Sequence, residues 1–330
     1  MPLLEELLHL LSPWVTLHQP IAVAVSGGAD SLALTLLVAE GLRRQSLSLS
    51  DLHAVTIDHR LRPESSSEAE TVHSWLSGRG IHHTTLVWNH EPLTSGVEAK
   101  ARTARYQLLT AYCRDQNIPF LMTAHHALDQ LETFFMHLSR GSSLLGLCGI
   151  RPCMDLQGIT IIRPFLSTFP ETLKTILEDH FHQEYLTDPS NLSHKFERVQ
   201  WRYLLKNTPL LSNASPSLLR TINHFNDLSQ QLDEAANIFL SQHCLPFKDG
   251  FAFDKAPWLQ LLPAVGERVL KQLIDQVATT NRPWPHSTLE RLYAKVRCPT
   301  FKGATAHHCV LRAAHRGRVS VVKEHRPRYP

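Results

Sequence analysis

The sequence predicts an α/β fold: a doubly wound parallel sheet, followed by a smaller C-terminal region that is helical and then β-containing. Three observations support this. Between residues 20 and 165, short apolar runs of strand length alternate with longer segments of helical periodicity. The polar residues best suited to chemistry fall at the carboxyl ends of those runs, where open parallel sheets bind their ligands. Beyond about residue 207 the alternation stops, and from 291 to 330 ten basic residues face a single acid, Glu324.

Leucines at 3, 4, 7, 8, 10 and 11 form a helical stripe. Pro20 then precedes Ile21-Ala22-Val23-Ala24-Val25, a short apolar run typical of a buried parallel strand. A glycine-containing loop at 26–31 leads into a helix over 32–42. Leu52–Asp58 reads as the second strand, 64–78 as a helix, 83–88 as the third strand and 98–115 as a long helix. The fourth strand is expected at 119–124, with a helix at 129–139 and one more strand within 158–165. Helices follow at 170–181 and 197–205. The stretch 207–216 is rich in Pro, Ser and Asn and reads as a boundary, dividing the chain into 1–206 and 207–330. Beyond it, helices are expected at about 217–242 and 264–279, then β-like runs at Cys309-Val310-Leu311 and Val319-Ser320-Val321-Val322.

A chain of 330 residues can bury a core without disulfides or metals. Its six cysteines, at 113, 148, 153, 244, 298 and 309, include no Cys-x-x-Cys pair, which weakens zinc-ribbon and redox-pair readings. Met1–Leu8 carries two acids where a signal peptide would carry positive charge, and no apolar run approaches the roughly 18 residues of a membrane span. A cytoplasmic protein without membrane contact is expected. Net charge is only +3, so the basic C-terminal end stands out. It suits a polyanion such as nucleic acid, although a solvated basic face has the same composition.

Ser26-Gly27-Gly28-Ala29-Asp30-Ser31 sits between a strand and a helix. Glycines let the backbone approach a phosphate closely, and the helix N-terminus presents free N–H groups to an anion. Ser26 and Ser31 add hydroxyls. Asp30 would repel a phosphate unless it holds Mg²⁺, which then bridges it to the pyrophosphate. The loop lacks the Gly-Lys-Ser/Thr of a Walker loop. It resembles the signature of the PP-loop ATPases, which cleave ATP between the α and β phosphates and pass AMP to a substrate oxygen. That resemblance implies a PP-loop fold of the adenine nucleotide α-hydrolase-like kind.

A second constellation is Thr123-Ala124-His125-His126-Ala127-Leu128-Asp129-Gln130-Leu131-Glu132-Thr133. On a helix, His125, Asp129 and Glu132 would share one face, and His126, Gln130 and Thr133 another. Read alone, His-His-x-x-Asp fits a metal site or a polar helix cap. Beside the loop at 26–31, a third reading is preferred: Asp129 and Glu132 hold Mg²⁺ or a cationic amino group near ATP. Here the sequence resembles the tRNA(Ile)-lysidine synthetases. The matching segments are Asp58-His59-Arg60-Leu61-Arg62, Glu98-Ala99-Lys100-Ala101-Arg102-Thr103-Ala104-Arg105-Tyr106, Arg140-Gly141-Ser142 with Gly146-Leu147, Arg163-Pro164, Asp188-Pro189-Ser190-Asn191, and Arg198 with Arg202. They run in order over about 20–205; 210–330 is only loosely similar. Arg60 stands where that family usually has Gly, Leu128 replaces the first of two adjacent aspartates, Ser143 replaces a Gly and Val199 an Asn.

The resemblance implies ATP as co-substrate and Mg²⁺ as cofactor. It also implies two partners, tRNA(Ile) with a CAU anticodon and free L-lysine. ATP would adenylate O2 of the wobble cytidine, and the lysine ε-amine would displace AMP to give lysidine. Ser26, Gly27, Gly28, Ala29, Asp30, Ser31 and Asp58 are then expected at ATP. Asp30, His125, Asp129, Glu132, Arg105 and Arg198 are expected at the chemistry, with Asp30 and Asp129 on Mg²⁺. Arg140, Arg202, Arg312, Arg316 and Arg318 are expected at tRNA. Residues 1–206 would form the catalytic domain and residues 207–330 the tRNA-binding region. The oligomeric state stays open, a homodimer being one arrangement. Two other readings compete. One is another PP-loop activity such as tRNA 2-thiolation, whose iron–sulfur version is disfavoured by the missing cysteine pairs. The other is a non-catalytic nucleotide- or RNA-binding module, disfavoured by Asp30, Asp129 and Glu132.

Overall fold

A computed structural model describes residues 2–15, 19–91, 95–187, 197–278 and 286–324. The segment Asp188-Pro189-Ser190-Asn191 and the basic residues Arg326 and Arg328 lie outside the described residues. The chain divides into two compact units, Met1–Ser139 with Gly149–Arg220, and Arg140–Cys148 with Thr221–Pro330.

The first unit is an α/β layer structure. Its elements run α1 (Pro2–Val15), β1 (Ile21–Ala24), α2 (Ala29–Arg44), β2 (Leu52–Asp58), α3 (Ser65–Ser77), β3 (His82–Val87), α4 (Val97–Asp115), β4 (Phe120–Met122) and α5 (Ala127–Ser139). After 140–148 come β5 (Cys153–Leu156), β6 (Ile159–Ile162), α7 (Pro170–Asp179) and α8 (Glu197–Asn207). The sheet order is β3-β2-β1-β4-β6-β5, parallel except for the edge strand β5. β1 is central, with Ile21 in register with Leu52 on one side and Phe120 on the other. Its alternate residues supply two cores, as the period of a strand requires. Ile21, Val23 and Val25 pack with α1, α2 and α7, including Leu7, Leu11, Leu36, Leu37, Leu173 and Ile176. Ala22 faces the other way, onto Leu109 and Cys113 of α4 together with Val55, Leu121 and Ile161. β1 is flanked on both sides, and the order reverses there, so β1 and β4 bound the crevice at which such sheets bind ligands. The edge strand β5, not expected from the sequence, pairs with β6 through a two-residue turn. Gln157 at φ +58° and Gly158 at φ +81° form it, the left-handed pair that a tight hairpin needs.

The second unit holds an antiparallel sheet, β7-β8-β11-β10-β9, built from Cys244–Phe247, Gly250–Asp254, Arg318–Lys323, Cys309–Ala314 and Gly303–Ala306. α11 (Pro263–Ala278) and α12 (His286–Arg297) contribute apolar residues to the same core as the inner sheet residues Phe253, Leu311, Val319 and Val321. Trp258, on α10 (Lys255–Leu259), is almost fully buried there, and its indole N–H donates to Gly266 O at 3.1 Å. The short α6 (Leu144–Leu147) also belongs to this unit.

The boundary expected at 207–216 is instead helix. α9 runs from Pro209 to His243, and the division between units falls within it, after Arg220. Pro209 opens the helix, where no backbone N–H is required. Ser215, a turn-former in composition, is buried and returns its hydroxyl to Leu211 O at 2.9 Å. No helix among the described residues is long and apolar enough to cross a membrane.

Candidate active site

The loop at 26–31 joins β1 to α2, with Gly28 as the N-cap residue and no side chain capping the helix. The free N–H groups of the first turn are thus left for an anion. The loop is braced from within. Ser26 N–H donates to Ser31 Oγ at 3.1 Å, the Ser26 hydroxyl lies 3.2 Å from that oxygen, and the Ser31 hydroxyl donates to Gly28 O at 3.0 Å. The two serines expected to meet phosphate therefore also shape the loop. Gly27 has φ +84°, and a Cβ there would stand 2.7 Å from Leu186 Cδ1 and 2.8 Å from Val72 Cγ2, so only glycine fits.

His125 and His126 precede α5 rather than lying on it, so the faces expected from helical spacing begin only at Ala127. The reason is local. His126 N–H donates to Asp129 Oδ2 at 3.1 Å, and Asp129 N–H donates to His126 Nδ1 at 3.3 Å. This reciprocal pair is a capping box made from His and Asp. It also sets the imidazole Nε2 3.7 Å from Asp30 Oδ2. Asp30, His126 and Asp129 thus form a line from the phosphate loop to α5. Burial raises the Asp30 carboxyl above its ordinary value, an effect opposed by His126 and reinforced by the Asp129 charge. Burial pushes Asp129 the same way, but His126 and Arg198 outweigh it and hold Asp129 below the ordinary value. His125 receives or donates a 2.9 Å hydrogen bond with Thr123 Oγ1, and burial depresses it to about 3, so it is neutral at physiological pH.

Glu132 is fully buried and held by two arginines of α8. Arg198 donates from Nε to Glu132 Oε2 at 2.7 Å and from Nη2 to Asp129 Oδ1 at 2.6 Å. Arg202 donates to both Glu132 oxygens, at 2.5 and 3.2 Å. Spacing of i and i+4 puts both guanidiniums on one face of α8, and Trp201 between them stacks on Phe135 at 5.0 Å. Arg198, Asp129 and Glu132 are brought together as expected for one site. Arg202, expected at RNA, has its donors turned to Glu132. Glu132, expected to take Mg²⁺ or an ammonium, has both oxygens engaged by guanidinium. This four-residue cluster requires an α5–α8 contact that no local spacing reveals.

Asp58, expected at the nucleoside, is 4% exposed and holds its own loop. Its oxygens accept from Arg60 N–H at 2.9 Å and from the Ser65 and Ser66 hydroxyls at 2.7 Å each. Burial alone would raise this carboxyl; the hydroxyls of Ser66 and Ser65 and the Arg60 amide together keep it low. The loop so formed lines a pocket of about 430 Å³ with Arg60, Leu61, Arg62, Pro63, Ser65 and Ser66. Arg105 lies at the same sheet end and donates to His59 Nε2 at 3.3–3.4 Å. Burial, then the Arg105 charge, depresses His59 to about 4.

In the second unit, Arg140 is exposed just past α5. Arg312 and Arg316 are exposed on β10 and in the turn after it, and Arg318 pairs with Asp254 at 2.8 Å. No group of three or more His, Cys, Asp or Glu that could hold a metal occurs among the described residues.

A model of the PP-loop domain matches residues 3–208. The tRNA(Ile)-lysidine synthase of Orientia tsutsugamushi (strain Boryong) is 36% identical over 301 residues, covering 88% of this chain and 67% of that protein. The same-named protein of Hyphomonas neptunium is 33% identical over 305 residues, covering 90% and 80%. That of Zymomonas mobilis is 39% identical over 196 residues, covering 58% and 57%. Against most of these curated relatives the chain spans about two thirds of their length or less. Among solved structures, the U34-tRNA thiolase NcsA from Methanococcus maripaludis shares the fold, with a TM-score of 0.53, 16% identity, and coverage of 67% of this chain and 79% of that one. The chain belongs to the PP-loop family and, within it, to the tRNA(Ile)-lysidine synthases.

Proposed function

We propose that the chain ligates lysine to C2 of the wobble cytidine of tRNA(Ile) bearing a CAU anticodon, by way of an adenylated cytidine and release of pyrophosphate. The observation that carries this reading is the line Asp30–His126–Asp129. It joins an uncapped helix N-terminus suited to pyrophosphate to a carboxylate cluster suited to cations. The first turn of α2 and the Gly28–Ser31 backbone hold the phosphates. The loop at Asp58–Ser66 forms one wall of the nucleoside pocket. Lysine's ammonium is the kind of cation that Asp129 and Glu132 already hold in Arg198 and Arg202, so it joins that cluster at Asp129, with Glu132 keeping the two arginines in place. His125 stays neutral and offers a hydrogen-bonding group without adding charge. Adenylation makes C2 electrophilic and provides the leaving group, and the protein's part is positioning and charge neutralisation.

Mg²⁺ fits this site in a limited way. Asp30 is partly buried and, among the described residues, has His126 as its close basic contact, so it suits a hard cation. Both Asp129 oxygens already accept, from Arg198 and from His126 N–H, so Asp30 would be the principal protein residue to hold the ion. When bound there, the ion would supply charge neutralisation for the pyrophosphate. The reaction takes place in the cytoplasm, where ATP, lysine and tRNA meet. Arg140, Arg312, Arg316 and Arg318 supply phosphate contacts to the tRNA.

The test is pyrophosphate release with ATP, Mg²⁺, lysine and a CAU-anticodon transcript. Release that depends on that transcript, and a lysidine product by mass spectrometry, are expected; no release would sink the reading. Asp30→Ala is expected to lower turnover by about 100-fold or more.

A further inference from the structure

The peptide between Gly27 and Gly28 is oriented from outside the loop. Gly27 O accepts a hydrogen bond from Leu186 N–H at 2.8 Å, and the Leu186 side chain lies against the Cα of the same glycine. In a trans peptide the carbonyl and the following N–H point to opposite sides. Anchoring Gly27 O on Leu186 therefore turns Gly28 N–H away from it, toward the open side of the loop. A Cβ built on Gly28 would meet only Ser26 Oγ, at 3.6 Å, so the Cα of that residue is uncrowded.

Leu186 belongs to residues 181–187, which follow α7 as a strap without regular structure. The strap is clamped by Arg79, two residues past the end of α3. Arg79 donates from Nε to Gln183 Oε1 at 3.0 Å and from Nη2 to Phe181 O at 2.8 Å. Arg79 is itself fixed, since its carbonyl accepts from Arg43 Nη2 at 2.9 Å and its N–H donates to Leu76 O at 3.0 Å. Gln183 is 8% exposed and completes the clamp, with Nε2 donating to Glu184 O at 2.9 Å and its backbone N–H to Leu177 O at 3.1 Å. Neither Arg79 nor Gln183 lies in any segment that points to nucleotide chemistry in the sequence.

We propose that Arg79 and Gln183 are positioning residues for the phosphate loop. They hold the 181–187 strap so that Leu186 N–H fixes the Gly27–Gly28 peptide with its N–H presented to ATP's phosphates. They touch no substrate. The role rests on the reading of residues 26–31 as a phosphate loop, but not on the identity of the acceptor that receives AMP.

The experiment uses the full chain, with ATP–Mg²⁺ and pyrophosphate binding measured by calorimetry alongside KM and kcat for pyrophosphate release. Arg79→Met and Gln183→Leu are expected to weaken ATP binding and raise its KM about five- to tenfold, with kcat changed less than about twofold. Gln183→Glu retains the acceptor for Arg79 Nε but loses the donation to Glu184 O, so its affinity is expected to fall between wild type and Gln183→Leu. Leu186→Pro, which deletes the N–H itself, is expected to weaken binding at least as much. ATP affinity within about twofold of wild type in Arg79→Met and Gln183→Leu, whatever their melting temperatures, would overturn the proposal. So would a Gln183→Glu variant as weak as Gln183→Leu. Absence of ATP and pyrophosphate binding by the unmodified chain is a separate result, which removes the phosphate reading and this role with it. Binding with normal strap dependence but no lysidine would instead count against the acceptor alone.

Discussion

Arg60 takes φ +50°, in the left-handed region where glycine is unstrained and an arginine is not. This gives a physical reason for the glycine usual at that place in the family. Arg60→Gly relieves strain but gains unfolded-state entropy, so stability is expected to change by less than about 1 kcal/mol in urea denaturation. A β-branched residue such as Val is expected to cost about 1–2 kcal/mol there. His83 is a different kind of strained residue. It is buried between Thr56 Oγ1 at 2.8 Å and His73 Nδ1 at 3.1 Å, and burial depresses it to about 4. Between its folded and unfolded pKa values the unfolded chain binds the extra proton, so stability rises with pH there. The urea midpoint is therefore expected to fall as pH drops from about 6.5 toward 4, and His83→Asn should flatten that slope. A slope unchanged by the substitution would count against the assignment.

At the scale of elements, α5 and α8 are joined by charge as much as by packing. Glu132 is completely buried, and both its oxygens accept from guanidinium. Removing one partner of such a group leaves uncompensated buried charge, at a cost of about 3–5 kcal/mol. Glu132→Ala is expected to destabilise the first unit by about that much and to raise hydrogen exchange across 197–207. Protection there equal to the unmodified chain would show that Trp201 on Phe135 and the buried Leu205 suffice to dock α8. Helical spacing by itself places Asp129 and Glu132 on one side of α5. It cannot place Arg198 and Arg202 against them, because that contact spans some seventy residues of sequence. The same spacing misleads at His125 and His126, where the capping hydrogen bonds with Asp129 start the helix later.

At the scale of the molecule, the basic C-terminal end is a candidate polyanion surface. If Arg312 and Arg316 each neutralise one phosphate, replacing either by Ala is expected to lower the slope of log affinity against log salt by about one. Arg318 is paired with Asp254, so Arg318→Ala also removes the guanidinium that offsets this carboxylate and is expected to weaken RNA binding further. A slope unaffected by all three would move the RNA surface elsewhere. The division into 1–206 and 207–330 is likewise testable: the structural division falls at Arg220 and assigns 140–148 to the second unit. A fragment cut at 206 is expected to be less stable than one carried through 220, measured by thermal denaturation.

The sequence alone determined the order of strands and helices in the first unit apart from the edge strand β5, since apolar period and length are local properties. It also singled out the loop at 26–31 and Asp30, because the candidate chemistry depends on a hexapeptide lying between a strand and a helix. Tertiary structure decided which charges meet, because ion pairs such as Arg198–Asp129 and clamps such as Arg79–Gln183 form between residues far apart in the chain. It also decided the course of α9, which continues as helix through a Pro- and Ser-rich stretch that reads locally as a turn. At Gly27 both levels are needed. The sequence showed that a glycine stands there, and Leu186 and Val72 packed against its Cα show why nothing larger can.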